Sequence, residues 1–301
     1  MTPELLTRLN ALLEAEDTNA ALELLNTTLE NDTTNAEAHF QRGLFYMDYT
    51  DDYQSSLRDF NRALKLAPKE ARYYAERGRC FSLRGDFNSA ISDLKRAIKF
   101  DPNNADAYAY RGDIFLNRGN APKALADLSK AIELDPENMD VVYNRGILYS
   151  DLDDYANALN DYNRVVEHRP EDSDIFTSRG VAHFYQENLE ASLADFDKAI
   201  ALDEKNVRAL NNRGVLTFVL GNYDSSLHDF TRANELAPME RLLMAGWAVT
   251  YHALGKLDEA QKLWLALLKL DKRYKDAAVV GKELSWPPQL TAEARKLIAT
   301  L

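Results

Sequence analysis

Cysteine is almost missing from this chain: Cys80 is the only one in 301 residues. No intrachain disulfide can form, and nothing in the composition calls for an oxidising compartment. Long apolar runs are missing as well. No stretch approaches the ~20 uninterrupted apolar residues that a membrane-spanning helix needs. The N-terminal MTPELLTRLNALLEAED mixes acids with its apolar residues and lacks the basic flank of a signal peptide. Basic charge is in deficit, with 48 acidic against 36 basic residues and a net charge of −12. A surface that grips a phosphate backbone needs the opposite balance. These absences predict a cytoplasmic protein with neither nucleic acid nor membrane among its partners.

Glycine and proline are few, and most have a place. Of the 12 glycines, six (Gly43, Gly78, Gly112, Gly146, Gly180, Gly214) form a column at steps of 34 or 35 residues. Four more (Gly85, Gly119, Gly221, Gly255) fall where a helix would end and need positive φ. Only Gly246 and Gly281 are left over, so no Gly-rich phosphate loop exists. Five of the nine prolines (Pro68, Pro102, Pro136, Pro170, Pro238) close successive units.

The rest of the chain keeps the same register. Small residues recur at Ala21, Ser56, Ala90, Ala124, Ala158, Ser192, Ser226 and Ala260, and Leu9 and Ala248 extend the glycine column at either end. An aromatic stands three residues after most column glycines, as at Tyr46, Phe81, Phe115 and Tyr149. Small residues let two helices approach closely, and aromatics fill the gaps that remain. Each unit therefore reads as two amphipathic helices around a tight turn. The second unit lacks the turn glycine and carries one extra residue in YMDYTDDY, which predicts a looser turn.

A 34-residue period with these small columns, the aromatic and the closing proline resembles the tetratricopeptide repeat. The expected fold is an all-α, right-handed superhelical α-solenoid of about eight helix-turn-helix repeats over residues 1–274, the first degenerate. Residues 275–301 are expected to form C-terminal capping helices: one over Lys275–Leu284, a break at Ser285-Trp-Pro-Pro, and a closing helix over Thr291–Leu301. Thr291 is its expected N-cap, and Leu297, Ile298 and Leu301 its apolar stripe.

Chemistry-bearing residues form one regular pattern. Arg42, Arg77, Arg111, Arg145, Arg179 and Arg213 each precede a column glycine, and an aspartate follows sixteen or seventeen residues on, at 59, 93, 127, 161, 195 and 229. Trp247 and Leu263 replace both partners in the last unit. The joint loss predicts a structural Arg–Asp bridge within each repeat rather than a ligand ladder. The five histidines form no HExxH or i, i+4 pair. No metal site, cofactor or catalytic residue is expected, and the chain is not read as an enzyme.

The resemblance implies that first helices line a concave groove where extended peptides or partner helices lie. Counting around those helices, the candidate partner-binding residues are Phe40, Arg79, Asp113, Asp140, Tyr143 and Asp151, then Asp174, Phe184, Tyr185, Arg208, Asn211 and Phe218. Phe184, Tyr185, Phe218 and Tyr143 would form an aromatic patch beside Asp140, Asp151 and Asp174. Such a surface suits a protein or peptide with apolar anchors and a basic flank. The alternative is that these apolar residues meet the next repeat or the C-terminal tail. Some members of the family clamp a carboxylate with Lys, Arg and Asn on successive first helices; that pattern is not met here. The function expected is an interaction scaffold, monomeric by preference. The competing readings are a structural or regulatory module that self-associates through its basic C-terminal end, and, behind it, a small-molecule sensor.

Overall fold

A computed structural model describes residues 1–238 and 240–301. Among them the chain is all-α, with eighteen α-helices, one short 3-10 helix and no strand. It divides into two compact units, Met1–Leu148 and Tyr149–Leu301.

The first unit pairs α1 (Pro3–Glu14) with α2 (Thr18–Asn31), α3 (Ala36–Thr50) with α4 (Tyr53–Leu66), α5 (Ala71–Leu83) with α6 (Phe87–Phe100), and α7 (Ala105–Asn117) with α8 (Ala121–Leu134). The division falls inside α9 (Met139–Asp151). The second unit continues with α10 (Tyr155–His168), then pairs α11 (Ser173–Tyr185) with α12 (Leu189–Leu202), α13 (Val207–Val219) with α14 (Tyr223–Leu236), and α15 (Arg241–Ala253) with α16 (Leu257–Leu270). A 3-10 turn at Lys272–Lys275 leads to α17 (Ala277–Glu283) and α18 (Pro288–Ile298).

Each pair is held by the columns. A Cβ placed on Gly180 would lie 2.7 Å from the Phe196 ring, and one on Gly112 would lie 3.0 Å from Leu128. The second helix thus packs almost against the first helix's backbone, which only glycine permits. Where the facing small residue is serine, its hydroxyl donates across the same seam: Ser192 Oγ to the Gly180 carbonyl and Ser226 Oγ to the Gly214 carbonyl, both at 2.8 Å. Gly246, unassigned in the sequence, receives the ring of Phe230 from the preceding repeat, and Gly281 receives Thr291.

The turns follow local chemistry. Gly85, Gly119, Gly221 and Gly255 have φ between 67° and 79°. Asp52, Asp86 and Asp154 then cap the next helix by accepting the backbone N–H three residues on, at 3.0, 3.1 and 3.3 Å. In the second repeat Asp51 takes the left-handed position itself, at φ 52°. The extra residue makes that turn one residue wider: the Asp52 N–H reaches back six residues to the Tyr46 carbonyl, where Asp86 reaches back five to Phe81. The Asp51 N–H points to the same Tyr46 carbonyl.

The Arg–Asp bridges form as bidentate pairs, the stronger geometry for this contact. Arg77 Nε and Nη2 donate to Asp93 at 2.6 and 2.9 Å; Arg111 donates twice to Asp127 at 2.7 Å; Arg213 donates to Asp229 at 2.8 and 2.7 Å. Asp59, Asp93, Asp127, Asp195 and Asp229 are all buried, between 1% and 7% exposed. The remaining nitrogen does something the sequence reading missed. It donates to the residue sixteen positions earlier, on the preceding repeat's second helix: Arg42 to Asn26, Arg77 to Asn61, Arg145 to Ser129, Arg179 to Asn163 and Arg213 to Asp197. Each of these arginines therefore also ties its repeat to the one before.

The C-terminal end departs from expectation in two places. Helix α18 starts at Pro288, with Pro287 as N-cap, so Thr291 lies inside the helix and is not its cap. Proline suits that first position because its missing N–H would be unsatisfied there anyway. The buried stripe is Leu290, Ala294 and Leu297, while Leu301 follows the helix and is 47% exposed. Trp264 and Leu267 are fully covered, and the Trp264 indole donates to the Tyr274 carbonyl at 3.0 Å. Helix α18 also packs on the first helices α13 and α15, where His252 Nδ1 meets Glu293 at 2.6 Å. Burial opposes it, but bonds from Lys296 and His252 hold the Glu293 carboxyl below its ordinary range.

Candidate partner-binding surface

In the first unit, α3, α5 and α7 present a mostly acidic cluster. Arg79 donates to Asp48 at 2.8 Å and to Glu76 at 3.2 Å, and Tyr110 donates to Glu76 at 3.2 Å. Burial raises the Glu76 carboxyl, with Arg79 opposing it. Burial also raises Asp106, helped by Asp135 and opposed by Arg79. Asp113 stands seven residues after Asp106, two turns along the same face of α7. Burial lifts its carboxyl to about 6, countered only by an Asn144 side-chain bond at 3.4 Å. Asp140 is exposed and Tyr143 half-buried. Phe40 is buried, stacked on Tyr73 at 4.5 Å beneath the Arg72 guanidinium.

In the second unit a cavity of about 170 Å³ opens between α11, α13, α15 and the segment joining α17 to α18. Val181, Phe184, Tyr185, Asn211 and Val215 form its repeat side, and Leu284, Ser285, Trp286 and Pro287 its tail side. The Tyr185 hydroxyl donates to the Ser285 carbonyl at 3.4 Å. Tyr185 is itself stacked on Tyr155 at 4.8 Å and meets Phe184 edge-on. Both readings weighed in the sequence thus have a counterpart here: first-helix residues line an open surface, and the C-terminal tail shares it.

Of the residues expected on this surface, Phe184, Tyr185 and Asn211 come together. Phe218 is 3% exposed against Tyr223 and belongs to the core around Trp264. Asp151 and Arg208 are exposed, and Asp174, also exposed, accepts from Asn206 at 3.3 Å. Sequence reasoning missed Tyr155 and the tail residues 284–287. Tyr155 opens a second helix, where no rule of spacing points it at a first-helix aromatic, and residues 284–287 carry no periodicity. Among the described residues no group of His, Cys, Asp and Glu could hold a metal ion, and no helix is long and apolar enough to cross a membrane.

Comparisons with known proteins agree with this architecture. Models described as tetratricopeptide repeat match residues 49–114, 143–206 and 177–240, and one described as TPR repeat matches 112–153. No curated protein matches. Among solved structures, the chain is similar to YrrB, described as a TPR protein with an unusual peptide-binding site (22% identity, TM-score 0.57, covering 62% of this chain and 95% of that one). It is similar to pilF of Pseudomonas aeruginosa (19%, TM-score 0.59, covering 68% and 93%). It is also similar to the C-terminal part of a TPR repeat-containing protein from Cytophaga hutchinsonii (18%, TM-score 0.59, covering 80% and 98%). At these identities the likeness establishes the fold. The repeat models together span residues 49–240, well over half the sequence, and the chain belongs to the tetratricopeptide repeat family.

Proposed function

We propose that this protein is a cytoplasmic scaffold that binds a partner protein by holding an extended segment of it against first-helix faces, with residues 275–301 closing the array. The observation that carries this reading is the charge imbalance on α3, α5 and α7. Glu37, Asp48, Glu76, Asp106 and Asp113 share that side with two cations, Arg72, which is paired with Glu37, and Arg79, which bonds Asp48 and Glu76. The Glu76, Asp106 and Asp113 carboxyls, raised chiefly by burial, are short of compensating charge, and a Lys or Arg from a partner would supply it. The structures described for YrrB include a peptide-binding site, and a segment with a basic flank and apolar anchors is the ligand this surface suits. The apolar stripe of α18 is buried within its own chain, which leaves self-association without that surface.

The test is fluorescence anisotropy with labelled peptides that share one apolar core and differ only in flank charge. Basic flanks should bind, with affinity falling as salt rises and falling again in an Asp106→Asn, Asp113→Asn variant. Equal binding of basic and acidic flanks would sink the proposal.

A further inference from the structure

Three cations gather on the C-terminal segment without a partner. Lys275 ends the 3-10 turn, Lys282 lies in the last turn of α17 and Arg295 on α18, and all three are exposed. Their neighbours Arg273 and Lys296 bond Glu283 and Glu293 at 3.0 and 2.7 Å, but among the described residues these three meet no carboxylate. They line two hollows of about 430 and 550 Å³, Lys275 the first, Lys282 the second and Arg295 both. Ala278 is also common to the two, so they form one cleft between α17 and α18. Its floor is set by close packing, since a Cβ on Gly281 would collide with the Thr291 hydroxyl. One carboxylate lines the cleft: Asp276, which accepts from the Ala278 N–H at 2.9 Å. The others nearby are engaged elsewhere, Glu283 by Arg273 and Glu293 by His252 and Lys296.

We infer that the cleft between α17 and α18 is a docking site for an acidic segment of a partner polypeptide. Charge selects the sign of the ligand. Cations held around one concavity repel each other, and carboxylates laid between them relieve that repulsion. Arg295 adds geometry, because its planar fork can take a carboxylate through two bonds at once. Shape selects a slender ligand: Lys282 on one wall and Arg295 on the other can both reach a chain lying between the helices. Net charge selects a short one. A duplex or an anionic membrane would meet the field of the whole chain, whose net charge of −12 repels it. An acidic segment in the cleft meets only the charges within about a Debye length, ~8 Å at physiological salt. The site goes beyond the scaffold reading, since it has the opposite sign to the face of α3, α5 and α7. A chain with both surfaces sorts two partners by charge.

The experiment uses the full chain and a labelled peptide that repeats Glu-Glu-Gly, with Gln-Gln-Gly as its neutral counterpart, followed by fluorescence anisotropy. The Glu peptide should bind, more weakly as salt rises, and the Gln peptide should not. Lys282→Gln with Arg295→Gln should lower the affinity roughly three- to tenfold, the worth of two exposed ion pairs. Lys262→Gln with Lys269→Gln removes the same charge from exposed positions of α16 and should leave the affinity unchanged. Both variants alter only exposed side chains, so their helical circular dichroism should match that of the parent. Equal losses in the two variants would mean attraction to cations anywhere on the surface, and would overturn the inference. Phosphatidylserine vesicles, a polythymidine strand and self-association by light scattering are measured alongside. If the cleft variant loses one of these while the Glu peptide never binds, the cleft belongs to a lipid surface, a nucleic acid or a second copy, and the inference is likewise overturned. The flank comparison proposed above is run in the cleft variant, where acidic flanks have lost this site, so each proposal can fail without the other.

Discussion

Replacing Asp113 by Asn should stabilise the protein at neutral pH and do almost nothing in acid. The carboxyl is displaced upward from 3.8 to about 6 by burial, so the folded chain holds a proton there that the unfolded chain has released. Between those two values stability contributed by this group falls as pH rises, and above about 6 the whole penalty is present. Such a displacement corresponds to at most roughly 3 kcal/mol. Asp113 keeps some access to water, which screens the effect, so ~1–2 kcal/mol is the working figure. Asparagine has the same shape, accepts the Asn144 bond equally well and carries no charge to desolvate. Repeat arrays do not unfold as one unit, so the assay should be local: hydrogen exchange of the α7 amides, compared at pH 7.5 and 3.5. The variant should show roughly 5- to 30-fold greater protection at the higher pH and parity at the lower. A variant that is neutral or less protected at pH 7.5 would mean that the carboxylate is already satisfied, and the charge-deficit argument for a cationic partner would go with it.

Two further outcomes follow from the bridges and the tail. Asp127→Ala should cost ~3–5 kcal/mol, because it strands the Arg111 guanidinium at a mostly buried site, while Arg111→Trp with Asp127→Leu should cost less; denaturation of all members of the cycle measures the coupling, and additive effects would refute the pairing. Deleting residues 288–301 should lower Tm and promote association by uncovering α13 and α15, since each buried leucine of α18 is worth ~1.5–3 kcal/mol; calorimetry and light scattering would show a truncated chain that is unchanged if α18 contributes nothing.

The repeat was legible because its columns are steric. A residue facing Phe196 at 2.7 Å must lack a side chain, and that constraint appears in the sequence as Gly180 whatever surrounds it. The Arg–Asp bridges were legible because both partners vanish together at Trp247 and Leu263. The backward bond of the same arginines was not, since its acceptor column changes from Asn26, Asn61 and Asn163 to Ser129 and Asp197, with Lys95 interrupting it. Phe218 illustrates the limit at the candidate site. Helical spacing placed it on a first helix's inner side, but its ring packs beside Tyr223 instead, and a step of 100° per residue cannot separate a groove-facing ring from one that packs on a neighbouring helix. The cavity was least legible, because a third of its lining residues are Leu284, Ser285, Trp286 and Pro287, which only packing brings to α11.

The arginine clip has one missing tooth. Sixteen residues before Arg111 stands Lys95, which has donors only and cannot accept from a guanidinium. Arg111 is therefore held by Asp127 of its own repeat, and the seam between α6 and α7 lacks the tie that Arg42 and Arg77 provide at the earlier seams. That seam is fastened by other means: Tyr110 of α7 donates to Glu76 of α5 at 3.2 Å. Lys95→Asn would place an amide oxygen where Arg111 has no acceptor and give the third and fourth repeats the tie that Arg77 and Asn61 already make one seam earlier.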